Sequence, residues 1–179
     1  MNFLSKKEIR ISKKFEEKGY SIIKVENKAS LNYINNLILK SVKKYLKIKK
    51  NINLNYIHKL VSTNDLNKFR IKIIEAISND KLARFHYFNL ARENIYSIAG
   101  NELMMQKNIN LSIQYPNDNS SLLPIHSDVW SGDSPYELNL WLPLVNCYKT
   151  KSMYILEQKY YNIFKKRLNR KKAKNSFEI

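Results

Sequence analysis

NLSIQYPNDNSSLLPIHSDVWSGDSPYELNLWLPLVNCYKTKSMYIL, residues 110–156, is where the reading of this chain turns. Short apolar runs fall at 103–106, 109–115, 122–129, 136–145 and 152–156. Turn formers separate them at 116–121 and 131–135. Runs of this length and spacing predict strands of an antiparallel barrel or jelly roll.

Upstream of residue 101 the texture is helical. Residues 4–18 are charged and weakly amphipathic, and a short apolar run at 20–25 after Gly19 reads as a strand. Over 31–46, Leu31, Ile34, Leu37, Ile38, Val42, Tyr45 and Leu46 recur at three-and-four spacing, which predicts an amphipathic helix. A second helix is predicted over 65–77, with Thr63 or Asn64 near its N-cap. A third is predicted over 81–99, stopping at Gly100-Asn101. The expected class is α+β in one domain over 1–179. Residues 1–101 would be mainly helical, 102–156 would supply barrel strands, and 157–179 would form a basic helical tail. No internal repeat and no Gly/Ser linker interrupts it.

The composition is that of a globular chain, with 44% hydrophobic and 12% aromatic residues. The net charge of +17 is mostly lysine, accompanied by many Asn and Ile residues. These three residues share A/T-rich codons, so base composition alone is sufficient to produce the bias. The tail from Lys165 to Lys174 reads as the one run dense enough for phosphate. No nucleic-acid motif is present, so a nucleic-acid partner ranks last. The single cysteine, Cys147, allows no intrachain disulfide. No signal-type leader and no apolar stretch of membrane-spanning length is read. The expectation is a soluble cytoplasmic protein without a membrane partner.

The chemical signal lies in Ile125-His126-Ser127-Asp128-Val129-Trp130. On a strand, side chains at i and i+2 share a face. An imidazole nitrogen and a carboxylate oxygen can then grip one metal ion. With a distant His they would make the facial triad of a non-haem Fe(II) enzyme, which leaves three positions open. Alone, the triplet is weak, since a surface His beside a capping Asp gives the same pattern.

HSDVWSGDSPYE and LWLPLVNCYKTKSM are the specific pieces of a wider similarity over 110–156. This segment resembles oxygenases of the Fe(II)/2-oxoglutarate superfamily, and more narrowly a bacterial branch associated with surface-carbohydrate biosynthesis clusters. The resemblance implies a double-stranded β-helix, a jelly-roll or cupin-like barrel, following the N-terminal helices. It also implies Fe(II), 2-oxoglutarate and O₂, with oxidation of a carbohydrate-related or other small metabolite. By position, His126 and Asp128 match the first two iron ligands. Asn139 and Trp141 alternate onto one face of the next run and are candidates for the 2-oxoglutarate pocket, with core packing equally open to Trp141. Gln114 is a further candidate for the cosubstrate, and Lys149 or Lys151 for its distal carboxylate. Trp130 and Tyr136 are candidate sugar-stacking aromatics; core packing is their commoner use.

The resemblance also requires a later His, usually followed by an Arg, and no His follows Asp128. His58 and His86 lie upstream in helical segments, and Arg167 and Arg170 lie in the basic tail. An incomplete barrel is therefore expected. Truncation or a frameshift after about Leu156 is favoured over a shortened non-catalytic relative. Such a chain would bind iron weakly and turn over poorly. The alternative function is a non-catalytic carbohydrate- or partner-binding module on a degenerate barrel. A Ser/His/Asp hydrolase lacks its nucleophile elbow.

Overall fold

The computed structural model describes residues 3–119, 123 and 125–167. Its regular elements are α1 (Lys6–Lys18), α2 (Lys28–Leu46), α3 (Leu66–Ser78), α4 (Ala83–Phe88), α5 (Arg92–Ala99) and α6 (Tyr161–Arg167). Three short 3-10 turns, Leu54–Lys59, Asp128–Ser131 and Gln158–Tyr160, complete the set. None of the described helices is long and apolar enough to cross a membrane.

The predicted helix over 31–46 is the centre of the molecule. Asn27 caps it by accepting the Ser30 N–H at 2.9 Å, so α2 starts three residues earlier than its apolar stripe. Ser30, Ile34, Ile38 and Val42 are buried at four-residue spacing, which places them on one face. That face meets Leu66, Phe69, Ile73 and Ile77 of α3 and Ala83 of α4. Each fully buried aliphatic or aromatic side chain in this seam contributes roughly 1.5–3 kcal/mol. The buried Ser30 hydroxyl lies 3.1 Å from His86 Nδ1, and the His86 ring stacks on Tyr33 with centroids 3.9 Å apart. A buried polar group needs such a partner.

The third predicted helix is two helices. α4 ends at Phe88, Leu90 and Ala91 turn inward, and α5 restarts at Arg92. The signal for the break is not local: Ala91 offers no capping side chain. The Glu26 carboxylate supplies the cap, accepting the Glu93 and Asn94 N–H groups at 2.8 and 3.0 Å. A carboxylate at a helix N-terminus satisfies orphan donors and meets the positive end of the dipole. Glu26→Ala should lower stability by about 1 kcal/mol, read as a lower urea midpoint. Hydrogen exchange of the α5 amides should quicken ahead of those in α2, and unchanged α5 protection would refute the capping role.

α1 lies on α5 and buries no residue of its own. Its ends are well specified locally. Ser5 and Glu8 form a reciprocal capping box, and Gly19 closes the helix at φ +78, a conformation that a side chain opposes.

The barrel is not there. Among the described residues no strand forms, and the one ladder-type contact is an isolated bridge between Tyr148 and Lys151. The α+β jelly-roll expectation is thus overturned: the chain is mainly helical, with extended segments laid on the helices. The strands expected at 20–25, 103–106, 109–115, 136–145 and 152–156 are unpaired; of the one expected at 122–129, residues 122 and 124 lie outside the described residues and 128–129 belong to a 3-10 turn. The alternation behind the expectation is nonetheless real. Ile109, Leu111, Ile113 and Tyr115 turn inward, while Asn110, Ser112 and Gln114 face out. Likewise Leu138, Leu140, Leu142 and Leu144 are half-buried while Asn139, Trp141 and Pro143 are exposed. Period-two burial reports an extended chain with one side on a core; it does not require a neighbouring strand.

Tyr87 of α4 fastens the second of these segments, donating its hydroxyl to the Leu140 carbonyl at 2.6 Å. Burial pushes this hydroxyl from an ordinary value near 10.0 up to about 12, against a smaller opposing pull from the Leu142 backbone. The fold therefore favours the neutral phenol. Its contribution is complete below about pH 10 and is lost as pH climbs through about 12. Urea midpoints of wild type and Tyr87→Phe should differ by about 1 kcal/mol below pH 10. Wild type should then lose its advantage towards pH 12, and parallel curves across that window would show that Tyr87 does not titrate against folding.

Candidate functional site

Ser127, in extended backbone, leads into the 3-10 turn Asp128–Ser131, which ends on Gly132 at φ +100. That positive φ is a glycine conformation, and it folds the chain back so that the Asp133 N–H reaches the Asp128 carbonyl at 3.3 Å. Asp128 thus opens a helical turn and does not sit in a strand. Its side chain still meets His126: Nε2 and Oδ1 are 3.5 Å apart. The second carboxylate oxygen accepts Asn139 Nδ2 at 2.7 Å. Both members of the pair reach solvent, with side chains 34% and 46% exposed.

This spacing is close to that of a shared ion. With metal–ligand bonds of about 2.1 Å, two donors stand about 3.0 Å apart at a right angle and about 3.4 Å apart at a tetrahedral one. At 3.5 Å the pair stands just beyond the tetrahedral spacing and about half an ångström beyond the right-angle one, so the two side chains must draw together to share an ion. Asn139 holds the carboxylate so that one oxygen stays turned to the imidazole, the office of an outer-shell partner in metal sites. Asn139→Ala should weaken Fe(II) binding by about tenfold, measured by anaerobic calorimetry. Equal affinity in the two proteins would show that the bond serves only to close the 128–139 loop.

The full triad does not fit. No group of three His, Cys, Asp or Glu side chains able to hold a metal exists among the described residues. His86 is committed to Ser30 and Tyr33, and His58 lies edge-on to Tyr115 with centroids 6.2 Å apart. Two donors would leave most of a ferrous coordination sphere to water.

The other candidates scatter. Asn139 and Trp141 do share a face, but it faces solvent: Trp141 is 47% exposed, neither core nor the lining of an enclosed pocket. Gln114 faces outward from the 109–115 segment. Lys151 Nζ is bound to Asn55 Oδ1 at 2.9 Å, and the same oxygen accepts the Asn146 N–H at 3.1 Å. Lys149 is exposed at φ +50. Trp130 is half-buried within its turn, whereas Tyr136 stands 93% exposed. The residue whose part differs most from expectation is Asn139, a partner of Asp128 from 11 positions away. Its alternation with Trp141 was legible; its partner was not, because the intervening turn sets the return path.

Comparison with protein-family models, with curated proteins and with solved structures finds no match for this chain.

Proposed function

We propose that this chain is a protein of the Fe(II)/2-oxoglutarate oxygenase type, directed to a carbohydrate-related small molecule. In it His126 and Asp128 form a two-ligand ferrous half-site, so this chain alone binds iron weakly and turns over poorly. The observation that supports this reading is the 3.5 Å approach of His126 Nε2 to Asp128 Oδ1, with Asn139 bonded to the other oxygen. The helical architecture removes the barrel from the reading, and what remains is this local chelate with open positions for a bidentate 2-oxo acid.

The test is an anaerobic titration with Fe(II) in the presence of 2-oxoglutarate, followed by visible absorption. A weak charge-transfer band is expected, rising only at iron well above the protein concentration, with little succinate on admitting air. No band at any iron concentration sinks the iron reading. Tight one-to-one binding with rapid succinate formation sinks the half-site.

A second reading has its own support. Trp141 and Tyr136 are exposed near Asn139 in sequence, and aromatic faces beside an amide suit a sugar ring. A non-catalytic carbohydrate-binding surface predicts thermal stabilisation by a saccharide without iron, lost in Trp141→Ala.

A further inference from the structure

Between residues 27 and 64 the chain carries eight lysines and no carboxylate. Five of them, Lys43, Lys44, Lys47, Lys49 and Lys50, fall within eight positions. Lys43 and Lys44 lie in the last turn of α2, where cations complement the helix dipole. That accounts for two of the five. Lys47 leaves the helix at φ +55, and Lys49 and Lys50 follow it on the surface. Among the described residues none of the five forms an ion pair.

The last lysine of this run, Lys50, and residues 51–53 lead into the kinked 3-10 turn Leu54–Lys59. Together they enclose an open groove of about 300 Å³, lined by Lys50, Asn51, Asn53, Tyr56 and Lys59 among others. Tyr56 sits at the kink, φ −114 and ψ 20, and is 53% exposed, with Lys59 Nζ 5.1 Å from its ring centre. Large exposed aromatics beside cations have a specific use. Base stacking on an aromatic ring and lysine–phosphate contact are the two components of single-strand recognition without sequence preference.

We infer that this groove is a binding site for single-stranded nucleic acid, with Tyr56 stacking a base and Lys50 and Lys59 meeting the flanking phosphates. The lysine run along 43–50 extends the positive path beyond the groove, which favours a polymer over a free nucleotide. The groove is shallow and open, and what favours a nucleic acid over an anionic membrane is the exposed Tyr56 ring between two lysines, a stacking face that a base uses and a lipid headgroup does not. The inference is independent of the iron site.

The experiment is fluorescence anisotropy of the whole chain with a labelled oligothymidylate of about 15 nucleotides, across a salt series. Lys50→Gln with Lys59→Gln should weaken binding at least about tenfold and reduce the slope of log affinity against log salt by about 1.4, two phosphates at about 0.7 each. Lys13→Gln with Lys14→Gln on α1 removes the same charge and should leave the slope nearly unchanged. Tyr56→Ala should cost about tenfold or more with the slope intact. Equal losses from the two lysine pairs overturn the inference, since binding would then follow net charge alone. So does a Tyr56→Ala protein that binds as wild type, or displacement by a sulfated polysaccharide as readily as by unlabelled oligothymidylate.

Discussion

Phe69→Ala is expected to lower the folding free energy by about 3–5 kcal/mol. Phe69 is 1% exposed at the middle of the α2–α3 seam and lies edge-on to Tyr45 with centroids 5.2 Å apart. Removing the ring forfeits its transfer free energy, and the rigid helices around it cannot close the void. A domain has about 5–15 kcal/mol in total, so the loss is a large part of the whole. At about 2–4 °C per kcal/mol for a chain of this size, the melting temperature should fall by roughly 10 °C. Ile71→Ala on the same helix is the control, because Ile71 is 45% exposed and should shift stability by less than about 0.5 kcal/mol. Should the two variants melt together, the seam between α2 and α3 is not what holds the molecule.

His126→Ala is expected to remove the response to Fe(II). In the proposed half-site the imidazole and the carboxylate act together, across the 3.5 Å approach. Without the imidazole, one carboxylate remains, one of its oxygens already engaged by Asn139. The loss should exceed the roughly 10–100-fold typical of an outer-shell partner. His58→Ala serves as comparison, since His58 packs on Tyr115 and belongs to no metal-type cluster. Calorimetry and the 2-oxoglutarate band should both go flat in His126→Ala and persist in His58→Ala. Retention of wild-type iron binding without His126 would move the site elsewhere.

Local sequence determined the helices. The Ile34–Ile38–Val42 stripe, the Ser5/Glu8 box, and the glycines at 19 and 100 specify where α1, α2 and α5 run or stop, because each acts within a few residues of itself. It also determined which side of 109–115 and 138–145 is apolar, through strict alternation. Pairing was another matter. Whether an alternating segment bonds to another strand or lies singly on helices depends on what its backbone meets, and only the assembled chain decides that. The same distance dependence hid the break at residues 89–91, capped by Glu26 from 67 positions away, and the clasp of Asn139 on Asp128. His126 and Asp128 come together by a shorter rule. With one residue between them, they meet across the extended Ser127 where the chain enters its turn, so their meeting needed no barrel. What only the tertiary structure decided is that, among the described residues, no third metal-type side chain stands beside them, since side chains from remote segments are delivered by the fold and not by neighbouring residues.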